Sequence, residues 1–147
     1  MTEAESTEMG AAEIAAFLDD RETGVLSLAD GGEAYGIPVS FTYRESERAL
    51  YFRLGYTPES RKRTFVDATE DASVTVYGET GDEWRSVVVR GPLSEVPESS
   101  VDPDVLAALD ALDVPFVTMY DRPTKDVRFR ITRLDAEELT GCRGGGN

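Results

Sequence analysis

The stretch AYGIPVSFTY-RESER-ALYFRL, residues 34–54, decides how the chain is read. Its two ends are rich in β-branched and aromatic residues, and its middle is charged and polar. Ala34 to Tyr43 reads as one strand, Arg44 to Arg48 as a turn, and Ala49 to Leu54 as the strand that returns. Upstream, Val25 to Ala29 is a short strand, and Asp30-Gly31-Gly32 has the chemistry of a hairpin turn. Downstream, Ala72 to Gly78 gives a fourth strand and Trp84 to Val96 a fifth. The fifth is bent at Gly91-Pro92, because proline has no N–H to donate inside a sheet. Val127, Phe129 and Ile131 alternate with Arg128, Arg130 and Thr132, the period of a sixth strand.

Helical spacing occurs in three places. Residues 11–20 put Ile14, Phe17 and Leu18 on one face. Thr57-Pro58 reads as a cap and first helical residue, with Phe65, Val66 and Thr69 as the inner face. Asp102-Pro103 opens a helix carrying Leu106, Leu109 and Leu112. Ala136 to Leu139 suggests one more helical turn, and Asp113 to Asp126 a loop. Strands joined mostly by short turns predict an antiparallel barrel or sandwich, since helices are too sparse for a doubly wound sheet.

Composition narrows the chemistry. The chain has 147 residues, 40% of them apolar, which is enough for one domain with its own core. Neither a long apolar span nor a basic leader with an apolar core is present, so a cytoplasmic protein is expected. Cys142 is the only cysteine, so no internal disulfide forms. Histidine is absent, which removes a Ser-His-Asp triad, a His base and His-ligated zinc. No metal site is expected. Acids outnumber bases by 29 to 15, a net charge of -14, which disfavours nucleic acid and anionic membranes as partners. The acids are dispersed, and arginine outnumbers lysine thirteen to two. That pattern suggests a halophilic protein.

Against this background Arg61-Lys62-Arg63 stand in a row. In the first turn of a helix, cations meet the positive end of the helix dipole, which is locally unfavourable. A bound anion reverses the sign. Backbone N–H groups, the Ser60 hydroxyl, an Arg fork and a Lys point charge make a phosphate site. A solvated helix face, its bases paired with acids such as Glu59 and Asp67, accounts for the same pattern. The charge pattern leaves both readings open.

The ordered set Ile37-Pro38-Val39-Ser40-Phe41, Leu50-Tyr51-Phe52, Ser60-Arg61-Lys62 and Trp84-Arg85-Ser86-Val87, with Gly91 after it, resembles the pyridoxamine 5′-phosphate oxidase-related family of FMN-binding split barrels. The resemblance runs over roughly residues 11–142, and Phe129-Arg130-Ile131-Thr132 to Leu139-Thr140-Gly141 is similar to the family's last strand and tail. It implies a mainly β fold, a six-stranded antiparallel Greek-key split barrel with a few short helices. It also implies a homodimer with FMN in each of two clefts at the dimer interface.

By the same resemblance Arg61 and Lys62 hold the FMN phosphate with help from Ser60, and Ile37, Pro38, Val39 and Ser40 line the ring. Arg53 and Leu54 flank the ribityl chain, and Ser86 touches the flavin from the fifth strand. Trp84 is expected to pack as a strand-end aromatic. Vitamin B6 oxidation is not expected, because the family's C-terminal Trp and Arg have no counterpart here. Nitroimidazole reduction is not expected either, because no histidine follows the third strand.

The implied function is an FMN-dependent oxidoreductase whose flavin carries the chemistry, with catalytic side chains, substrate and electron donor unassigned. The alternatives are a flavin- or phospholigand-binding module without turnover, and a deazaflavin-dependent reductase. The expected domain spans 11–142, between a loose segment at 1–10 and a flexible tail at 143–147. Phe116, Met119 and Tyr120 are the expected substrate-facing residues, supplied by the partner subunit.

Overall fold

The hairpin legible at residues 34–54 is present in the computed structural model, which describes residues 6–112 and 127–145. The Asp113–Asp126 segment, with Phe116, Met119 and Tyr120, lies outside the described residues. The strands are β1 (Ser6–Glu8), β2 (Thr23–Asp30), β3 (Glu33–Arg44), β4 (Ala49–Tyr56), β5 (Ala72–Thr80), β6 (Glu83–Gly91), β7 (Leu93–Val96), β8 (Arg128–Asp135) and β9 (Glu138–Gly145). The helices are α1 (Ala11–Asp19), α2 (Arg61–Ala68) and α3 (Pro103–Ala111). The strands form one antiparallel sheet in the order β1-β9-β6-β5-β2-β3-β4-β8-β7.

The sheet curls, because β6 and β7 are nearly continuous in sequence yet stand far apart in that order. The chain turns at Gly91-Pro92, leaves its pairing with β5 and β9, and joins β8. The single bent fifth strand expected from sequence is therefore two strands in the two halves of a split barrel. Alternate residues of the barrel strands point inward. Leu26, Phe41, Leu50, Phe52, Val74, Val76, Val87, Val89 and Leu134 are fully buried there, with Phe17 and Leu18 of α1 and Phe65 of α2. The other face of β4 and β8 offers Ala49, Tyr51 and Ile131, which α3 covers with Val105 and Leu109. Leu106 and Leu112, expected on that buried side, are only partly covered.

The class matches expectation but the strand count differs, nine against six. Residues 6–8 lie in the segment expected to be loose, and they pair with Arg143, Gly144 and Cys142 as β1. The helical turn expected at Ala136–Leu139 is instead the turn into β9, which pairs with β6 along its length. Gly141 within β9 is buried beneath Met9, Ile14 and Val87, so its lack of a side chain is used for packing.

The corner at Gly91 is the tightest of the described glycine positions, for a Cβ built there would run into the carbonyl oxygen of Asp135. Gly91→Ala is expected to cost at least about 3 kcal/mol of unfolding free energy or to prevent folding, because backbone must move. Gly32→Ala, where nothing lies within 4 Å, is the control and is expected to change little. Urea melts of the two variants check this, and equal midpoints would rule the crossing out as a structural constraint.

Candidate functional site

Three features of the chain meet where β4 ends. Ser60-N to Thr57-O closes a turn at 3.1 Å, and Glu59 takes a left-handed φ of 62° that cannot continue a helix. The helix therefore does not begin at Thr57-Pro58. Ser60 is its N-cap, its hydroxyl accepting from Arg63-N at 3.4 Å. This shift places Arg61, Lys62 and Arg63 at the first three helical positions, with no acid in that turn. The electrostatic conflict anticipated from sequence is thus sharper in the structure.

Each base has a different partner. Arg61 reaches Glu33 on β3 at 3.0 Å and stands over the rings of Tyr35 and Phe65, which stack at 4.8 Å. Both groups of this ion pair are about two-thirds exposed, at 66% and 69%, so it contributes about 0–1 kcal/mol. Lys62 Nζ donates to the Gly55 carbonyl at 2.7 Å. Arg63 pairs with Asp67 at 3.3 Å and Glu95 at 2.7 Å, and its guanidinium sits 5.0 Å above the Tyr56 ring. Of the acids expected to neutralise this run, Asp67 does so; Glu59 makes no ion pair among the described residues.

Ser60, Arg61 and Lys62 share a cleft of about 360 Å³ with Tyr35, Gly55, Thr57, Pro58 and Glu59. Its donors include a helix N-terminus, the Ser60 hydroxyl, a guanidinium and an ammonium, the donor set of an oxyanion site, and the Glu59 carboxylate is also in its lining. Gly55 is required: a Cβ there would stand 2.8 Å from Val127 and 2.9 Å from Phe129. Gly55 and Tyr35 gave no sequence signal, because their part depends on packing across strands.

The other expected site residues lie elsewhere. Ile37 to Ser40 follow Tyr35 along β3; Pro38 is exposed, Ile37 and Ser40 half-buried, and Val39 in the core. Arg53 is drawn to the opposite face, 2.8 Å from Asp110 of α3 and 4.0 Å from Glu98. Leu54 points into the core and is buried. Ser86, on β6, pairs with Tyr77 of β5, and β5 and β2 intervene between it and β3, so a single chain does not bring it to the cleft. Trp84 does not pack on the barrel. It is 46% exposed, beside the exposed Tyr77 at 6.3 Å between ring centroids. No group of metal-ligating side chains occurs among the described residues, and no helix among them is long and apolar enough to cross a membrane.

A family model described as pyridoxamine 5′-phosphate oxidase matches residues 10–143. The chain belongs to this family. No curated protein matches it. Among solved structures, a FAD-binding protein from Mesorhizobium loti superposes with a TM-score of 0.74 at 21% identity, covering 95% of this chain and 99% of the other. A FAD-binding protein from Mycobacterium smegmatis gives 0.64 at 18% identity, covering 95% and 98%. A heme storage protein from Vibrio cholerae gives 0.62 at 16% identity, covering 88% and 92%. At these identities the likeness is one of fold.

Tyr56, at the base of β4, is pushed above the usual phenol value by burial, with Arg63 pulling the other way. Burial also raises Tyr51, whose hydroxyl donates to Glu47 at 2.6 Å, and Tyr43. Folding therefore favours the protonated phenols. Their contribution is complete below the ordinary pKa of about 10 and is lost as pH rises through the higher folded values. Thermal melts are expected to hold a plateau below about pH 10 and fall above it, with tyrosinate absorbance lagging that of the unfolded chain. With only two lysines present, few other side chains titrate there. A melting temperature that rises through that range would refute the assignment.

Proposed function

We propose that the cleft at the start of α2 holds the phosphate of a flavin, FMN being the simplest, and that the chain is a flavin-dependent oxidoreductase acting as a homodimer. One observation carries the reading: a chain of net charge -14 places Arg61 and Lys62 beside a capping serine at a helix N-terminus, in a cleft. The residues present fit a phosphoryl group in charge, donor type and exposure. Membership of the pyridoxamine 5′-phosphate oxidase family and the flavin-binding names of two structural relatives support flavin as its owner.

Bound there, a flavin supplies two-electron redox chemistry at its ring. The chain's own residues bind and orient. Lys62 and Arg61 neutralise the phosphate, and the Ser60 hydroxyl and the first-turn N–H groups donate hydrogen bonds to its remaining oxygens. The backbone of Ile37 to Ser40, leading away from Tyr35 along β3, is in place to line the ring. Ser86 lies on a strand remote from the cleft in its own chain, so its contact with flavin comes from the partner subunit. The exposed Tyr77 and Trp84 beside it then lie at the interface. Arg53 and Leu54 act through the β4 backbone, since the Arg53 guanidinium is engaged by Asp110 and the Leu54 side chain fills the core.

A second reading keeps the cleft and drops the turnover: a binding module that stores or carries its ligand. The shared fold with a heme storage protein favours it. Anaerobic NAD(P)H addition to the flavin-loaded protein separates the two, since bleaching marks a reductase and persistent colour a carrier or another donor.

Each charge-assisted hydrogen bond contributes about 1.5–3 kcal/mol, so Arg61→Ala with Lys62→Ala is expected to weaken flavin binding by at least about tenfold. Unchanged affinity would remove the phosphate from this cleft. Ser60→Asp separates capping from binding. Aspartate caps as well as serine, so the melting temperature is expected to hold while affinity falls from charge repulsion. Glu33→Gln, which releases Arg61, is expected to tighten binding a few-fold.

A further inference from the structure

A second cleft of about 370 Å³ lies on the other flank of the same turn, lined by Tyr56, Thr57, Pro58, Arg63, Arg128 and Arg130. Thr57 and Pro58 line both clefts, so only that turn separates them. Three guanidinia face the second cleft, from α2 and β8. Glu95 holds two of them, Arg63 at 2.7 Å with one oxygen and Arg130 at 3.4 Å with the other. Asp67 adds a second bond to Arg63 at 3.3 Å. Arg128 stands directly across the β4–β8 pair from Tyr56, is exposed, and makes no ion pair with any described residue. Among the described residues, three positive charges thus meet two negative ones. The Tyr56 ring forms an apolar floor beneath Arg63.

Protection of a strand edge explains part of this. β7 pairs with β8 only as far as Ile131, which leaves Arg128 to Arg130 at an edge unpaired among the described residues. It does not explain why α2 turns a third arginine toward the same space, or why Glu95 fixes two guanidinia side by side. Adjacent guanidinium donor forks suit an oxyanion.

We infer that this cleft is a second oxyanion subsite, built to take a phosphoryl group next to the one held by Lys62. The position of that neighbour rests on the flavin reading above. The phosphoryl group belongs either to the same ligand, as the adenylate half of a flavin dinucleotide crossing the Thr57–Pro58 turn, or to a separate anion.

The test is calorimetric titration at low salt of the wild-type protein, Arg128→Ala, and Arg128→Ala with Arg130→Ala, each first shown to melt like wild type. The single variant guards against loss of the Arg130–Glu95 pair. The probes are FMN, FAD, and pyrophosphate added to FMN-loaded protein. FAD binding at least tenfold tighter than FMN, with the gap closed by Arg128→Ala and FMN affinity unchanged, supports one spanning ligand. Equal flavin affinities, with pyrophosphate uptake weakened at least tenfold by Arg128→Ala, support a separate anion. If neither flavin binds, pyrophosphate added to ligand-free protein still decides, since its binding should fall in Arg128→Ala and survive in Lys62→Ala. Unchanged FAD and pyrophosphate affinities in both arginine variants would overturn the subsite.

Discussion

The corner at Gly91-Pro92 is the constraint on which the other elements depend. There the chain leaves one half of the sheet and enters the other, passing so close to Asp135 that no side chain fits. The passing strands are tied by Asp135-N to Pro92-O at 3.2 Å and Glu137-N to Arg90-O at 2.9 Å, and Ala136-N to Arg48-O adds the β3–β4 turn at 2.9 Å. Three turns remote in sequence are thereby held at one point. The result fixes β8 alongside β4, which brings Val127 and Phe129 down on Gly55. Lys62 is hydrogen-bonded to that glycine, so the direction of the α2 N-terminus follows from a crossing at the far end of β8.

Local chemistry made some of this legible and tertiary contact decided the rest. The β3–β4 hairpin could be read because its alternation, its aromatics and its charged turn agree. β9 could not, because Gly141, Gly144 and Gly145 are poor strand formers, and its pairing with β6 and β1 supplies what propensity lacks. β6 and β7 read as one strand because the pattern runs through Gly91; only their different neighbours divide them. At α2, Thr57-Pro58 and Ser60 both satisfied the cap rules. The positive φ of Glu59 chose Ser60, and nothing in the sequence announces that angle.

The candidate site shows the same division. Arg61 and Lys62 stand out in an acidic chain, so they could be found by contrast. Glu33 could not, because its role lies in the separation between strand and helix. Arg128 and Arg130 were legible as an alternating strand face, but their convergence with Arg63 is a product of the curl. Arg53 and Leu54 came from the resemblance, as residues flanking the ribityl chain. Strand alternation sends one side chain to α3 and the other into the core, which leaves only their backbone for such a contact.

Three consecutive bases end with different strengths of attachment, and this decides which is easiest to move. Successive helical residues are rotated by about 100°, so Arg61 and Arg63 cannot share a face. Arg63 is held by two carboxylates and an aromatic ring, and moving it would cost all three contacts. Arg61 rests on the Tyr35 and Phe65 rings and is held by one exposed carboxylate, in a pair that contributes about 1 kcal/mol or less, so its guanidinium is the easier to release to an anion. Salt sharpens the difference. At about 1 M the screening length is roughly 3 Å, which weakens the exposed pair and the long-range repulsion between an acidic surface and an incoming anion. Short hydrogen bonds to a phosphoryl group, made at contact distance with helix N–H groups behind them, are screened far less. An acidic protein can therefore bind an anion when recognition is confined to one helix turn, and high ionic strength lowers the long-range repulsion that opposes the encounter.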